Sequence, residues 1–167
     1  MRLSDTRQQL SRIDKAFELY QRDLQIAEEI DDRSGTGLAI GNLGKWYSAK
    51  HEYNKAIETF QKALKILEAI DYKRGIARVS YNLGKVFAVT GNFIQAEENF
   101  KKAIELFIKL EAKKWLADVY LEYAKMLNSA RAPESPETYF KKALDLYKEM
   151  KLEHKAKEVE QAIAGMQ

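Results

Sequence analysis

Cysteine is absent from the chain, which excludes disulfides, thiolate nucleophiles and cysteine-built zinc sites together. Proline occurs twice and glycine eight times in 167 residues, too rarely to interrupt helices often. No apolar run approaches the roughly 20 residues a membrane helix needs. Met1-Arg2-Leu3-Ser4-Asp5 does not open the apolar stretch of a signal peptide. A dominant charge is also missing, since 28 basic and 25 acidic residues leave a formal +3. With no run of five or six like charges, nucleic acid and membrane surfaces are not expected partners. What remains is 46% hydrophobic and 32% charged residues rich in helix formers. That composition fits a folded all-α domain over residues 1–167 and is too apolar for disorder. A cytoplasmic location is expected.

The chain repeats itself every 40 residues. Asn42-Leu43-Gly44-Lys45 returns as Asn82-Leu83-Gly84-Lys85, and Ala56, Phe60 and Ala63 return as Ala96, Phe100 and Ala103, then as Phe140 and Ala143. A fixed period of this size signals a solenoid whose units bury apolar faces against their neighbours. Within a unit, apolar residues recur at helical spacing on either side of a short break, Ala49-Lys50-His51-Glu52 or Val89-Thr90-Gly91-Asn92. Gly91-Asn92 has the chemistry of a helix stop. Each unit therefore reads as two antiparallel helices, A and B. Gly44, Gly84 and Ala124 share one column, facing aromatic residues such as Phe60, Phe100 and Phe140. Small against aromatic is the expected core.

The pattern Leu43-Gly44-x2-Tyr47 with Ala56-x3-Phe60, and its copy Leu83-Gly84-x2-Phe87 with Ala96-x3-Phe100, resembles the tetratricopeptide (TPR) repeat. A weaker third copy runs Tyr123-Ala124-x2-Leu127, then Pro136-x3-Phe140. The 40-residue period is similar to that of the longer TPR subclass found in Pins-type adaptors and bacterial regulators. The resemblance implies a right-handed α-α superhelix, a TPR solenoid of about eight antiparallel helices. Its expected parts are a partial repeat over 1–32, with helix B at 12–31 after a stub at 2–10, repeats over 33–71, 72–111 and 112–151, and a capping helix over 152–167. Glu158, Glu160 and Lys157 are expected on that cap's outer face. In Arg131-Ala132-Pro133-Glu134-Ser135-Pro136, Ser135 and Pro136 suit the cap and first turn of a helix starting about one turn late.

Catalytic chemistry is not expected. Ala39 through Lys45 imitates a phosphate loop but lacks its first glycine, its Ser/Thr after the lysine and a preceding strand. His51 and His154 have no ligand partners at helical spacing, and no nucleophile, base and orienter assemble. The expectation is no enzyme, no metal and no cofactor. Trp46 and Trp115 are expected to pack between helices.

Binding is the expected activity. The TPR resemblance implies a concave groove lined by helix A, which here presents Leu38, Asn42 and Lys45, then Arg78, Tyr81, Asn82 and Lys85, then Lys125. Lys45, Lys85 and Lys125 share one column, and asparagine amides can pair with both groups of a peptide backbone. Asp118 and Glu122 are placed to neutralise Lys125. The implied function is a protein–protein interaction scaffold that holds an extended, acidic segment of another protein. Alternatives are a peptide-sensing module of a bacterial regulator and a self-associating assembly unit. In the last, Ile13, Phe17 and Leu24, or Ile163 and Met166, would join terminal helices into a homodimer.

Overall fold

The computed structural model describes residues 3–130 and 134–166, with side chains from Lys15 onward. Among these residues eight helices form and no strand. They are α1 Leu3–Glu29, α2 Arg33–Ala49, α3 Tyr53–Ala69, α4 Lys73–Val89, α5 Phe93–Lys109, α6 Lys113–Ala130, α7 Pro136–Glu149 and α8 Glu153–Ala164. The fold is all-α, as the periodicity implies. Residues 2–10 do not form a separate stub, because α1 is one helix of 27 residues. No glycine or proline lies within it to break the backbone ladder.

The helices from α2 to α5 are each 17 residues long, so A and B helices match in length. Each is ended by the same backbone device. Asp31, His51, Asp71, Gly91, Glu111 and Lys151 recur in steps of 20 residues, with position 131 outside the described residues, and all have φ between 49° and 78°. The amide after each returns to a carbonyl five residues back, as in Asp32 N to Ala27 O at 2.8 Å and Asn92 N to Phe87 O at 2.9 Å. The left-handed residue itself bonds three residues back, as in His51 N to Ser48 O at 3.0 Å. This is the Schellman termination, which satisfies two of the carbonyls a helix end leaves open. The next helix begins at once, since the carbonyl of the residue after the left-handed position accepts its first bond, as in Ala56 N to Glu52 O at 3.0 Å. Only Gly91 has a side chain suited to that backbone.

The chain divides into two compact units, Met1–Val86 and Phe87–Gln167, with the division inside α4. In the first, α2 packs against α1 and α3. A Cβ on Gly44 would lie 2.7 Å from Phe60 Cδ1, and one on Gly37 would lie 2.6 Å from Leu67 Cδ2. The α2 backbone is therefore seated directly on the α3 ring and leucine, closer than any side chain permits. Ala56, Phe60, Ala63 and Leu67 are all fully buried, one stripe at i, i+4, i+7 and i+11. On the α1 side, Phe17 tilts against Trp46 with ring centroids 4.3 Å apart. Trp46 thus packs between helices, as expected.

The second unit repeats the stripe as Ala96, Phe100, Ala103 and Phe107 on α5, then Phe140, Ala143 and Tyr147 on α7. The Tyr147 hydroxyl donates to Asp118 Oδ1 at 2.6 Å, so the buried ring carries no unmet donor. Trp115 stacks on Phe107 at 5.8 Å. The α7 helix begins at Pro136, a turn later than a 20-residue step would place it, with Ser135 at the N-cap. The Ser135 side chain makes no capping hydrogen bond, so the proline ring sets this start. Pro133 lies outside the described residues.

Two outcomes follow for stability. Gly91→Ala will destabilise by about 1 kcal/mol, because nothing lies within 4 Å of the added carbon and only the backbone objects. Glu111→Gly, at the matching exposed turn, will raise the urea midpoint instead. Phe60→Ala will cost about 3–5 kcal/mol in equilibrium denaturation, and an unchanged midpoint would disprove the close seating of α2 on α3.

Candidate functional site

With its glycines turned toward α3 and α4, α2 presents the opposite stripe outward: Leu38, Asn42, Lys45 and Ala49. These stand at i, i+4, i+7 and i+11, so they share one face of the helix. Two adjoining depressions in the Met1–Val86 unit use that stripe. One, of about 230 Å³, is lined by Lys45, Ser48, Ala49, Phe60, Asn82 and Lys85. It lies between α2 and α4 above the buried Phe60 ring. The other, of about 310 Å³, lies on the α1 side, where Leu38 and Asn42 meet Asp23, Ile26, Ile30 and Asp32.

The first depression is basic. Partial burial lowers the Lys45 pKa from its ordinary value, and the charges of Arg78 and Lys85 lower it further. Three cations therefore converge closely enough to repel one another, a field that favours an anion among them. The Lys85 ammonium sits 5.4 Å from the centroid of the Tyr81 ring, a cation–π contact that steadies it at the pocket edge. Asn82 Nδ2 donates to the Arg78 carbonyl at 2.8 Å, which fixes the amide while leaving it one further N–H. Tyr81 is itself buried, with 8% of its surface exposed. It acts here through the face it offers Lys85.

The second depression has the opposite sign. Asp32 is committed locally: it caps α2, accepting from the backbone N–H groups of Ser34 and Gly35 at 3.0 Å and from the Ser34 hydroxyl at 2.7 Å. The Gly35 amide and the Ser34 hydroxyl hold its carboxyl below the usual range. Asp23 is exposed on α1. Ile26 and Ile30 keep 46% and 68% of their surface in water, so the apolar floor here is unusually open.

Lys125 belongs to the other unit and sits among carboxylates. Its Nζ lies 3.1 Å from Glu122 Oε1 and 3.0 Å from Glu158 Oε1. Desolvation lowers its pKa, but the two carboxylates outweigh this and the net shift is upward. Asp118 instead accepts from Tyr147. The α8 acids look inward rather than out: Glu158 also pairs with Lys155, and Glu160 with Lys148 at 2.9 Å. Of the residues named for self-association, Phe17 is covered by Trp46, and Ile163 and Met166 pack onto the core cluster of α6, α7 and α8. The Ile13 side chain lies outside the described residues.

A polar cluster in the second unit has no precedent in the repeat pattern. Glu134, just before α7, accepts from Tyr139 at 2.6 Å and Tyr123 at 2.9 Å. Its carboxyl is lowered chiefly by the Tyr139 bond, while burial and Glu134 push Tyr139 up to about 12. The signal for it was Tyr123, which stands in the column of Leu43 and Leu83 and brings a hydroxyl needing a partner. A depressed carboxyl contributes stability above its unfolded pKa, and that contribution is lost as pH falls through the folded value. Glu134→Gln will therefore destabilise at neutral pH, with the gap from wild type closing below about pH 4. Urea midpoints followed across that range will read it.

A stack of helical hairpins with small-on-aromatic seams and a polar stripe on one helix defines a repeat protein built to present a surface. The chain belongs to the tetratricopeptide repeat family, whose model matches residues 1–69 and 75–149. Among solved structures it is similar to BtubC (BKLC) from P. vanneervenii, with a TM-score of 0.74 and 22% identity, covering 98% of this chain and 76% of that one. At this identity the likeness speaks for the fold. No curated protein matches the sequence. Repeats of this family mediate binding to other proteins, and no described helix is long and apolar enough to cross a membrane.

Proposed function

We propose that the chain is a protein–protein interaction scaffold whose Met1–Val86 unit holds an extended segment of a partner by an acidic group. The observation that carries this is the convergence of Lys45 and Lys85 on one depression with Asn82, where Arg78 and Lys85 both depress Lys45. An anion entering there relieves that repulsion and gains charge-assisted hydrogen bonds. Asn42 and Asn82, one turn before each lysine, are placed to bond the partner's backbone. Leu38 adds apolar contact. Tyr81 keeps its part through Lys85. Lys125 is dropped from the anion site because Glu122 and Glu158 already answer its charge.

The test uses a fluorescein-labelled glutamate-rich peptide and anisotropy. Lys45→Glu combined with Lys85→Glu will weaken binding by at least about tenfold. The melting temperature will hold or rise, since a repulsion has been removed. Raising salt will weaken the wild-type complex, because exposed charges are screened beyond a Debye length of about 8–10 Å. Binding indifferent to both substitutions and to salt would refute the proposal.

A further inference from the structure

The two depressions on α2 together specify more than an acidic ligand. Resting on the reading above, we infer that the bound segment carries one apolar side chain and one anionic group at a fixed separation of three or four residues. The apolar side chain would seat at Ile26, Ile30 and Leu38, and the anion at Lys45 and Lys85. Both sites share the outward stripe of α2, with Leu38 and Asn42 lining one and Lys45 and Ala49 the other.

Geometry sets the spacing. From Leu38 to Lys45 is seven residues, about 10 Å along a helix rising 1.5 Å per residue. The apolar site lies toward α1 and the basic site toward α4, so a lateral step of up to one helix spacing, about 8–10 Å, adds to this. The span is therefore about 10–14 Å, which an extended chain at about 3.3 Å per residue crosses in three or four residues.

Charge then sets polarity. Asp23 borders the apolar site and repels acidic residues there, while favouring a basic neighbour beside the apolar one. A uniformly acidic segment satisfies one end of the site and is opposed at the other. The exposed isoleucines have a matching occupant in this scheme: an apolar side chain covering Ile26 and Ile30 removes from water surface that α1 leaves open. The ligand class is thus a peptide with an apolar anchor, a basic flank on the anchor side, and a single acidic or phosphorylated position beyond a short spacer.

A random twelve-residue library displayed on phage, selected on the full chain, tests this directly. Recovered peptides are expected to pair an apolar residue with an acidic one three or four positions away, with lysine or arginine enriched beside the apolar one. Ile26→Ser with Ile30→Ser, two exposed positions whose replacement leaves the melt unchanged, will weaken the recovered peptides by about tenfold. Asp23→Lys will reverse the preference for the basic flank. Peptides that need Lys45 and Lys85 but show no fixed apolar partner would sink the two-point register and leave the acidic-segment reading standing. Peptides indifferent to Lys45 and Lys85, or no enrichment at all, would overturn both. Sedimentation that grows with protein concentration in wild type and not in the double serine variant would also overturn the register, by seating a second copy on α1.

Discussion

Close approach of a bare backbone to an aromatic ring is the constraint on which this molecule depends. Gly44 lets α2 settle on Phe60 nearer than any Cβ permits, and the interior gains the density that packed cores need. One helix face is fixed as the packed side by that contact. Its opposite stripe, Leu38 to Ala49, is then necessarily the outward one. The basic and apolar depressions of α2 follow from where the glycines point, before any ligand is considered.

Much of this was legible in the amino acids. The column of Gly44, Gly84 and Ala124 facing phenylalanines encoded the hairpin core, because volume complementarity leaves a periodic trace. Helix ends were legible only in part. Gly91 announces a left-handed stop, yet Asp31, His51, Asp71, Glu111 and Lys151 adopt the same backbone with no residue type that advertises it. There the stop is imposed by packing and by the returning amide bonds, so a reading of propensities misses it.

The site was legible by position and less so by environment. Column registry placed Lys45 and Lys85 correctly on one face, but it treated Lys125 as their equivalent. Repeat alignment sees the residue and not the acids that a neighbouring helix brings, and Glu158 arrives from α8. The same blindness applies to Asp23, Ile26 and Ile30. They lie on α1, outside the two clear repeats, and become part of a binding surface only because α1 packs alongside α2. Tyr123, in a leucine column, shows the converse: a departure from the repeat marks a local hydrogen-bond arrangement.

The late start of α7 has a further implication. Although Pro136 opens that helix about a turn behind schedule, α7 is only 14 residues long and ends at Glu149, so Lys151 falls back on the 20-residue beat. The irregular stretch before it consumes helix and adds no chain, which makes it a substitution of loop for helix at constant phase. Everything downstream keeps the angular setting it would have had in a perfect array. Sequence drift between Arg131 and Ser135 is therefore insulated from α8, provided the number of residues stays the same.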